Sequence, residues 1–577
     1  VGVLGAGGYS NMTLTNVAVS ATLANVTSTA TGYVGVLGAA SCSNMTWTNV
    51  TVSAATASVT STADGYVGVL GAGSNTGTVT WTNVAVSTSS ANVTSTAAGH
   101  GVGVLGAGSN NSVSWKNVTV AAGVANVAST AAGHGVGVLG AGSNNTVSWT
   151  NVTVSAAVAN VTSTAGNCVG VLGTGSNSDM IWTKVTVSAM LANVTATATG
   201  NVVGILGAGS SNHVTWTNVN VSAATANVSS TAGYYVGVLG AGSNSAVTWT
   251  TVNVYAVLAN VTSIATGYVG VLGAGCNSDV SWTTVTVSAA LANVTSTATG
   301  YVGVLGAGCN SDMTWANVSV SASSASFTST VSSYAGILGA GSNSDMTWTN
   351  VTISAMLINV TATATGNAVG VLGAGSNSSM TWTNVIVSAA TANVTSTSGY
   401  YVGVLGTGSK SDATWKSVTV SAVLANVTSN ATGYAGVLGA GSNSDVTWTN
   451  VTAYAVLANI TSTATGYVGV LGAGGNSRIS WTNVTVSAML ANVTSTAAGN
   501  AAGVLGAGSY SDMTWTNVTV AAGSANVTST ARYYVGVLGA GSNSRVTWTN
   551  VRVSAALAYV TSTTTGNDVG VLGAGSG

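Results

Sequence analysis

The feature that most constrains this chain is a repeat. The motif G-[VI]-L-G recurs from Gly2, Gly35 and Gly68 to Gly503, Gly536 and Gly570, always 33 to 35 residues apart, and it divides the 577 residues into about seventeen similar units. A typical unit, Tyr301 to Gly336, reads YVGVLGAGCNSDMTWANVSVSASSASFTSTVSSYAG. Self-similarity at this period means stacked units, each burying its apolar face against its neighbours. The domain expectation is therefore one continuous array over residues 1–577, opening and ending inside a repeat, with no terminal caps in the sequence.

Helical pairs also repeat near this length, so composition has to choose between them and strands. Glu is absent, Lys and Arg total 8, and Val and Thr dominate, which favours strands over helices. Alternation agrees. In Leu23 to Thr31, Ala24, Val26, Ser28 and Ala30 share one face and Asn25, Thr27, Thr29 and Thr31 the other. In Trp47 to Ala54, the same test puts Val50, Val52 and Ala54 inside and Asn49, Thr51 and Ser53 outside. A third segment, VGVLG, is apolar on both faces. The expected fold is all-β: a parallel β-helix (β-solenoid) of about seventeen coils of ~33 residues, three strands per coil, each strand pairing with its equivalents about 4.8 Å away in a rod of roughly 80 Å. Crossover chirality favours a right-handed winding.

Length variation marks the corners, because a solenoid admits extra residues only where the chain leaves the ladder. Insertions fall before VGVLG, at His100–Gly101 and His134–Gly135, and before the Trp segment, at Gly73 to Thr78. The later Asn position always lies eleven residues after the Trp in the units compared, so the corner around SAALA is tight.

In a stacked coil each repeat position becomes a column, and function is read by column. One column holds Trp from Trp47 to Trp548. Strict alternation from Val50 points it outward, unless a bulge at Thr48 reverses it. It reads as a stacked aromatic ladder, with carbohydrate binding or lateral packing as the alternatives. Two further columns open N-x-[ST] acceptors for N-glycosylation. The column after Trp holds Asn49, Asn117, Asn151, Asn317, Asn350, Asn450, Asn483 and Asn517. The column in ANVTST holds Asn25, Asn92, Asn160, Asn193, Asn227, Asn260, Asn293, Asn359, Asn393, Asn426, Asn459, Asn492 and Asn526. Further acceptors stand at Asn11, Asn44, Asn110, Asn144, Asn220, Asn377 and Asn430. Amide ladders between stacked strands account for the same asparagines without sugar. Covalent N-glycans would hydrate a surface almost without charge, and no other cofactor is indicated.

Asp179, Asp279, Asp312, Asp345, Asp412, Asp445 and Asp512 form an acidic column, but Ala246, Ser379, Arg478 and Arg545 occupy it elsewhere, so it reads as a solvated corner and not a calcium site. Cys276 and Cys309 are equivalent residues of neighbouring repeats, which puts them within disulfide range in a secreted protein. Cys42 and Cys168 have no such neighbour. His100 and His134 stack without an acidic partner, too few ligands for zinc.

Charged residues make up 3%, against about 25% in ordinary soluble proteins, and the net charge of −1 offers nothing to nucleic acid. Mean hydropathy is +0.49, yet polar residues interrupt every apolar run well short of the roughly 18 residues of a spanning helix. GVLGAGS lacks the Lys-Ser/Thr ending of a phosphate loop. Nine acids and eight bases are dispersed along the chain with no paired carboxylates, so catalysis is not expected.

The repeated NVTVSA, NVTST and VGVLGAG segments resemble, over the whole chain, the very large glycosylated β-helical surface proteins of protists, such as the dispersed gene family type. That resemblance implies a eukaryotic secreted or cell-surface location and a structural or adhesive role. The expected partner is a second copy, stacking end to end into a fibre. The outward Thr27–Thr29 and Thr94–Thr96 rows offer an ice-binding alternative, and the Trp column a carbohydrate-binding one.

Overall fold

The computed structural model is an all-β parallel solenoid with a repeat of about 33 residues and no helix among the described residues. It describes the long strand of every repeat, the short strands of the glycine-rich segment, and most residues adjoining them. Residues between the short strands (such as 37–38, 138–140 and 304–306), those just before the first of them (such as 32 and 199–201), and 470–477, 504–511, 537–544 and 571–577 lie outside the described set. The chain forms two compact units, Val1–Ala292 and Asn293–Gly577.

In the first unit each turn contributes to three parallel sheets. Short strands such as Tyr66–Val69 and Gly101–Val104 build one, and three-residue strands such as Ala72–Ser74 and Ala107–Ser109 another. The third sheet is built from long strands, for example Thr78–Ala97, Ser112–Ala131 and Thr146–Ala165. Paired residues are equivalents one repeat apart, Val84 with Val118 and Val118 with Val152. The strands divide differently from the sequence expectation. The Trp segment and the ANVTST segment are one strand of 19 or 20 residues, and the AGS strand is additional. At the predicted SAALA corner the ladder skips only one position: Val124 pairs with Val158 and Asn126 with Asn160, leaving Ala125 and Ala159 out of register. A chain can bend there and resume pairing because only one residue leaves the ladder.

The second unit repeats this plan, with Met313–Val331, Asp345–Ala364 and Ser379–Ser398 as single strands. From Asp412 onward the segment is instead interrupted after the Trp, as in Asp412–Lys416 followed by Thr419–Ala431.

In both units the core is a file of small inward side chains. In one turn Val93, Ser95 and Ala97 are buried while Asn92, Thr94 and Thr96 are exposed, as alternation requires. The Trp column departs from it. Every Trp from Trp47 to Trp515 is buried, so the outward direction given by strict alternation is corrected. The cause is a bulge. Between Trp47 and Val50, both inward, lie two residues instead of one, and the second, Asn49, has φ of 53°. That left-handed residue reverses the alternation for everything before it. The rings then stack turn on turn, with centroids 4.7 or 4.8 Å apart from Trp47 to Trp282 in the first unit and from Trp315 to Trp515 in the second. This is the strand spacing itself, so the backbone ladder fixes the ring separation.

Candidate functional site

The candidate site is the outward surface of the long-strand sheet, where both acceptor columns lie. Every acceptor asparagine in them, from Asn25 and Asn49 to Asn517 and Asn526, is exposed, as predicted. The structure also bears out the amide ladders offered by the sequence: each column is hydrogen-bonded from turn to turn. After the Trp, Asn49 Nδ2 donates to Asn16 Oδ1 at 2.9 Å, Asn83 to Asn49 at 2.9 Å, Asn117 to Asn83 at 3.0 Å and Asn151 to Asn117 at 3.1 Å. In the ANVTST column the bonds run from Asn126 onto Asn92 at 2.8 Å, Asn160 onto Asn126 at 2.7 Å and through Asn193 and Asn227 to Asn260 at 2.8 Å. The second unit repeats both, for example Asn350 onto Asn317 at 3.0 Å and Asn393 onto Asn359 at 2.8 Å. Each Nδ2 spends one of its two hydrogens on the ladder, leaving the other for solvent or for a glycosidic bond.

The column after the Trp carries a second constraint. All of its residues lie in the left-handed region, at φ of 53–55°, including Lys184, Thr251, Thr284 and Ser417 where Asn is replaced. Asn tolerates that conformation better than other residues with a Cβ. Asn therefore persists there even where the acceptor sequence is lost, at Asn16, Asn83, Asn218, Asn384 and Asn550. In the ANVTST column, in an extended strand, every Asn except Asn126 opens an acceptor.

A third polar column was not anticipated. At the corner before the Trp strand, Asn111, Asn145, Ser178, Asn212 and Ser245 are buried, and side chains accept backbone N–H groups from the preceding turn. The Asn111 amide donates to Asn145 Oδ1 at 3.0 Å and the Ser178 amide to Asn212 Oδ1 at 2.7 Å. Just before this column, Asn144, Asn177 and Asn244 take φ of 49–54°, so the SNS triplet is a turn device. Its repeated small polar residues were the only sequence signal.

The acidic column is exposed at each position from Asp179 to Asp512. His213 occupies it one turn after Asp179, with Nδ1 3.1 Å from the carboxylate, and Arg478 lies 3.3 Å from Asp445. No group of three His, Cys or acidic residues forms among the described residues. Cys276 and Cys309 each end a short strand, but their side chains lie outside the described residues, as do those of Cys42 and Cys168. His100 and His134 lie outside them entirely.

Fold and surface together define the class: a parallel β-solenoid whose described outer face carries amide and hydroxyl columns, interrupted by exposed apolar side chains such as Met190 and Met356. No protein-family model, curated protein or solved structure matches the chain.

Proposed function

We propose that this protein is a non-catalytic structural element of an extracellular or cell-surface fibre, a glycan-coated solenoid stacking end to end with further copies. The proposed form is a single right-handed array of about seventeen coils over residues 1–577. The observation that carries the reading is the ANVTST column: exposed asparagines in an extended strand, where backbone geometry does not demand Asn, yet all but Asn126 open an acceptor. Sugars on that face hydrate a chain with 3% charged residues. Self-association draws support from the in-register ladder. Because successive turns present the same hydrogen-bonding edge, one turn of a copy complements a turn of another. A secreted, eukaryotic protein of the protist surface type accords with both features.

Site-resolved glycopeptide mass spectrometry on protein from its native source, with electron microscopy of the same material, tests the reading. Sugar on Asn160, Asn193 and Asn227 together with filaments supports it; bare asparagines on an isolated particle overturn it.

Ice binding is the second reading, favoured by the exposed Thr94–Thr96 rows on a regular sheet. Thermal hysteresis in unglycosylated protein, lost when sugar is present, would select it over the fibre. The third, an adhesin using the Trp column, lacks an aromatic surface, since the rings from Trp47 to Trp515 are buried.

A further inference from the structure

Several positions on the outer sheet of the first unit depart from the repeat, and two neighbouring departures fall together. The column that reads Ser155, Ser188 and Ser222 changes to Tyr255, which is 58% exposed, and returns to Ser288. Two residues earlier on the same face, Thr186 gives way to Asn220 and Asn253 before Thr286. Register sets Asn253 beside Asn220 and Tyr255 beside Ser222 in adjoining strands, with Thr186 and Ser188 one strand further. Together these side chains line a depression of about 270 Å³ with Tyr255 as its wall.

The two amides are oriented. Asn253 Nδ2 donates to Asn220 Oδ1 at 2.9 Å, which leaves the Asn220 Nδ2 hydrogens and the Asn253 Oδ1 lone pairs for a ligand. Unlike the long ladders, this pair ends at threonine on both sides, so its outer donor and acceptor are not consumed by another amide. No charged residue lines the depression. A phosphate, sulfate or carboxylate would find no counter-charge there. The lining is mostly apolar, with few polar atoms reaching its surface, so a neutral ligand fits that lays ring C–H groups against the tyrosine and meets the two amides only at its edge. The volume is below the roughly 300–1,000 Å³ of sites for larger ligands and suits one or two sugar rings.

We propose that Tyr255, Asn253 and Asn220 form a binding subsite for a neutral pyranose unit of a glycan. The site does not depend on the fibre reading. Its saccharide has two sources, a separate glycan or the chain's own sugar, since Asn220-Val221-Ser222 is itself an acceptor.

The test is calorimetric titration of the full chain, produced without N-glycosylation, with cello-, manno- and chitohexaose. Binding of at least one is expected, weakened at least 10-fold by Tyr255→Ser, retained by Tyr255→Phe and weakened by Asn253→Thr. Tyr255→Ser and Asn253→Thr restore the residues that the repeat uses in neighbouring turns, so both leave the fold intact. The exposed Tyr454 of the second unit is the control, and Tyr454→Ser leaves affinity unchanged. Absence of binding by all three sugars, or equal affinity of wild type and Tyr255→Ser, overturns the proposal. Titrating glycosylated protein then names the source. Blocked hexaose binding assigns the site to the Asn220 glycan, undiminished binding assigns it to a separate saccharide, and both support the subsite.

Discussion

The two asparagine columns carry the same three-letter signal and the same amide ladder, yet different forces hold them. After the Trp, Asn sits at φ of 53–55° on a bulge that turns the indole inward. In ANVTST it stands in an extended strand and opens an alternating run, Asn92 outward, Val93 inward, Thr94 outward and Ser95 inward. The first column is therefore held by backbone conformation as well as by its ladder, and the second by its ladder without that backbone constraint. Identical motifs are weak evidence for sugar where the backbone already requires Asn, and stronger where it does not.

Substitutions can break this distinction. The largest effect belongs to the core behind the bulge. Trp149→Ala empties a buried stack position and should cost about 3–5 kcal/mol, whereas Val161→Ala, behind the ANVTST column, should cost roughly 1–2 kcal/mol. Because a repeat array is not reliably two-state, amide hydrogen exchange in the altered turn and its neighbours is the measurement. At the surface, Asn117→Val loses ladder bonds and puts a β-branched residue in the left-handed region, for about 2 kcal/mol. Asn126→Val loses equivalent bonds in an extended strand that Val favours, and should cost about 0.5 kcal/mol. Equal protection losses would abolish the distinction.

The reverse exchange sharpens it. Lys184→Asn restores a ladder between Asn151 and Asn218 at a left-handed site and should stabilise its turn by about 1 kcal/mol, read as slower exchange. Glycine inverts the order of the columns: both variants lose their ladder bonds, but Asn117→Gly should cost only about 0.5 kcal/mol because Gly adopts φ > 0 freely, while Asn126→Gly adds the cost of Gly in a strand and should lose about 1.5 kcal/mol. The smallest effect is on the inward side of the ANVTST strand. The buried hydroxyl of Ser129 has no hydrogen-bond partner among the described residues, and Ala196 and Ala362 occupy the same column. Ser129→Ala should be neutral or stabilising by a few tenths of a kcal/mol, and a marked loss of protection would reveal a bond to that hydroxyl.

Much of this surface was legible in the chain because it depends on period alone. Alternation of two placed Asn25, Thr27 and Thr29 outward, and the repeat length placed equivalent residues beside each other. The strand boundaries were less legible, since the SAALA corner removes only one residue from the ladder and leaves no turn signature. The Tyr255 depression was hidden because the tyrosine and the Asn220–Asn253 pair are local departures from the repeat, and their meaning depends on their standing together in adjoining turns.

What the sequence determined by itself was the parallel stacked solenoid and the outward asparagines, because a repeated β pattern can bury its small apolar residues only in register with its neighbours. What the tertiary structure decided was the direction of the Trp column. One left-handed residue changes the parity of a strand, and parity is invisible until φ is known. It also decided that the asparagines bond to each other, since an amide ladder exists only once turns 33 or 34 residues apart stand side by side.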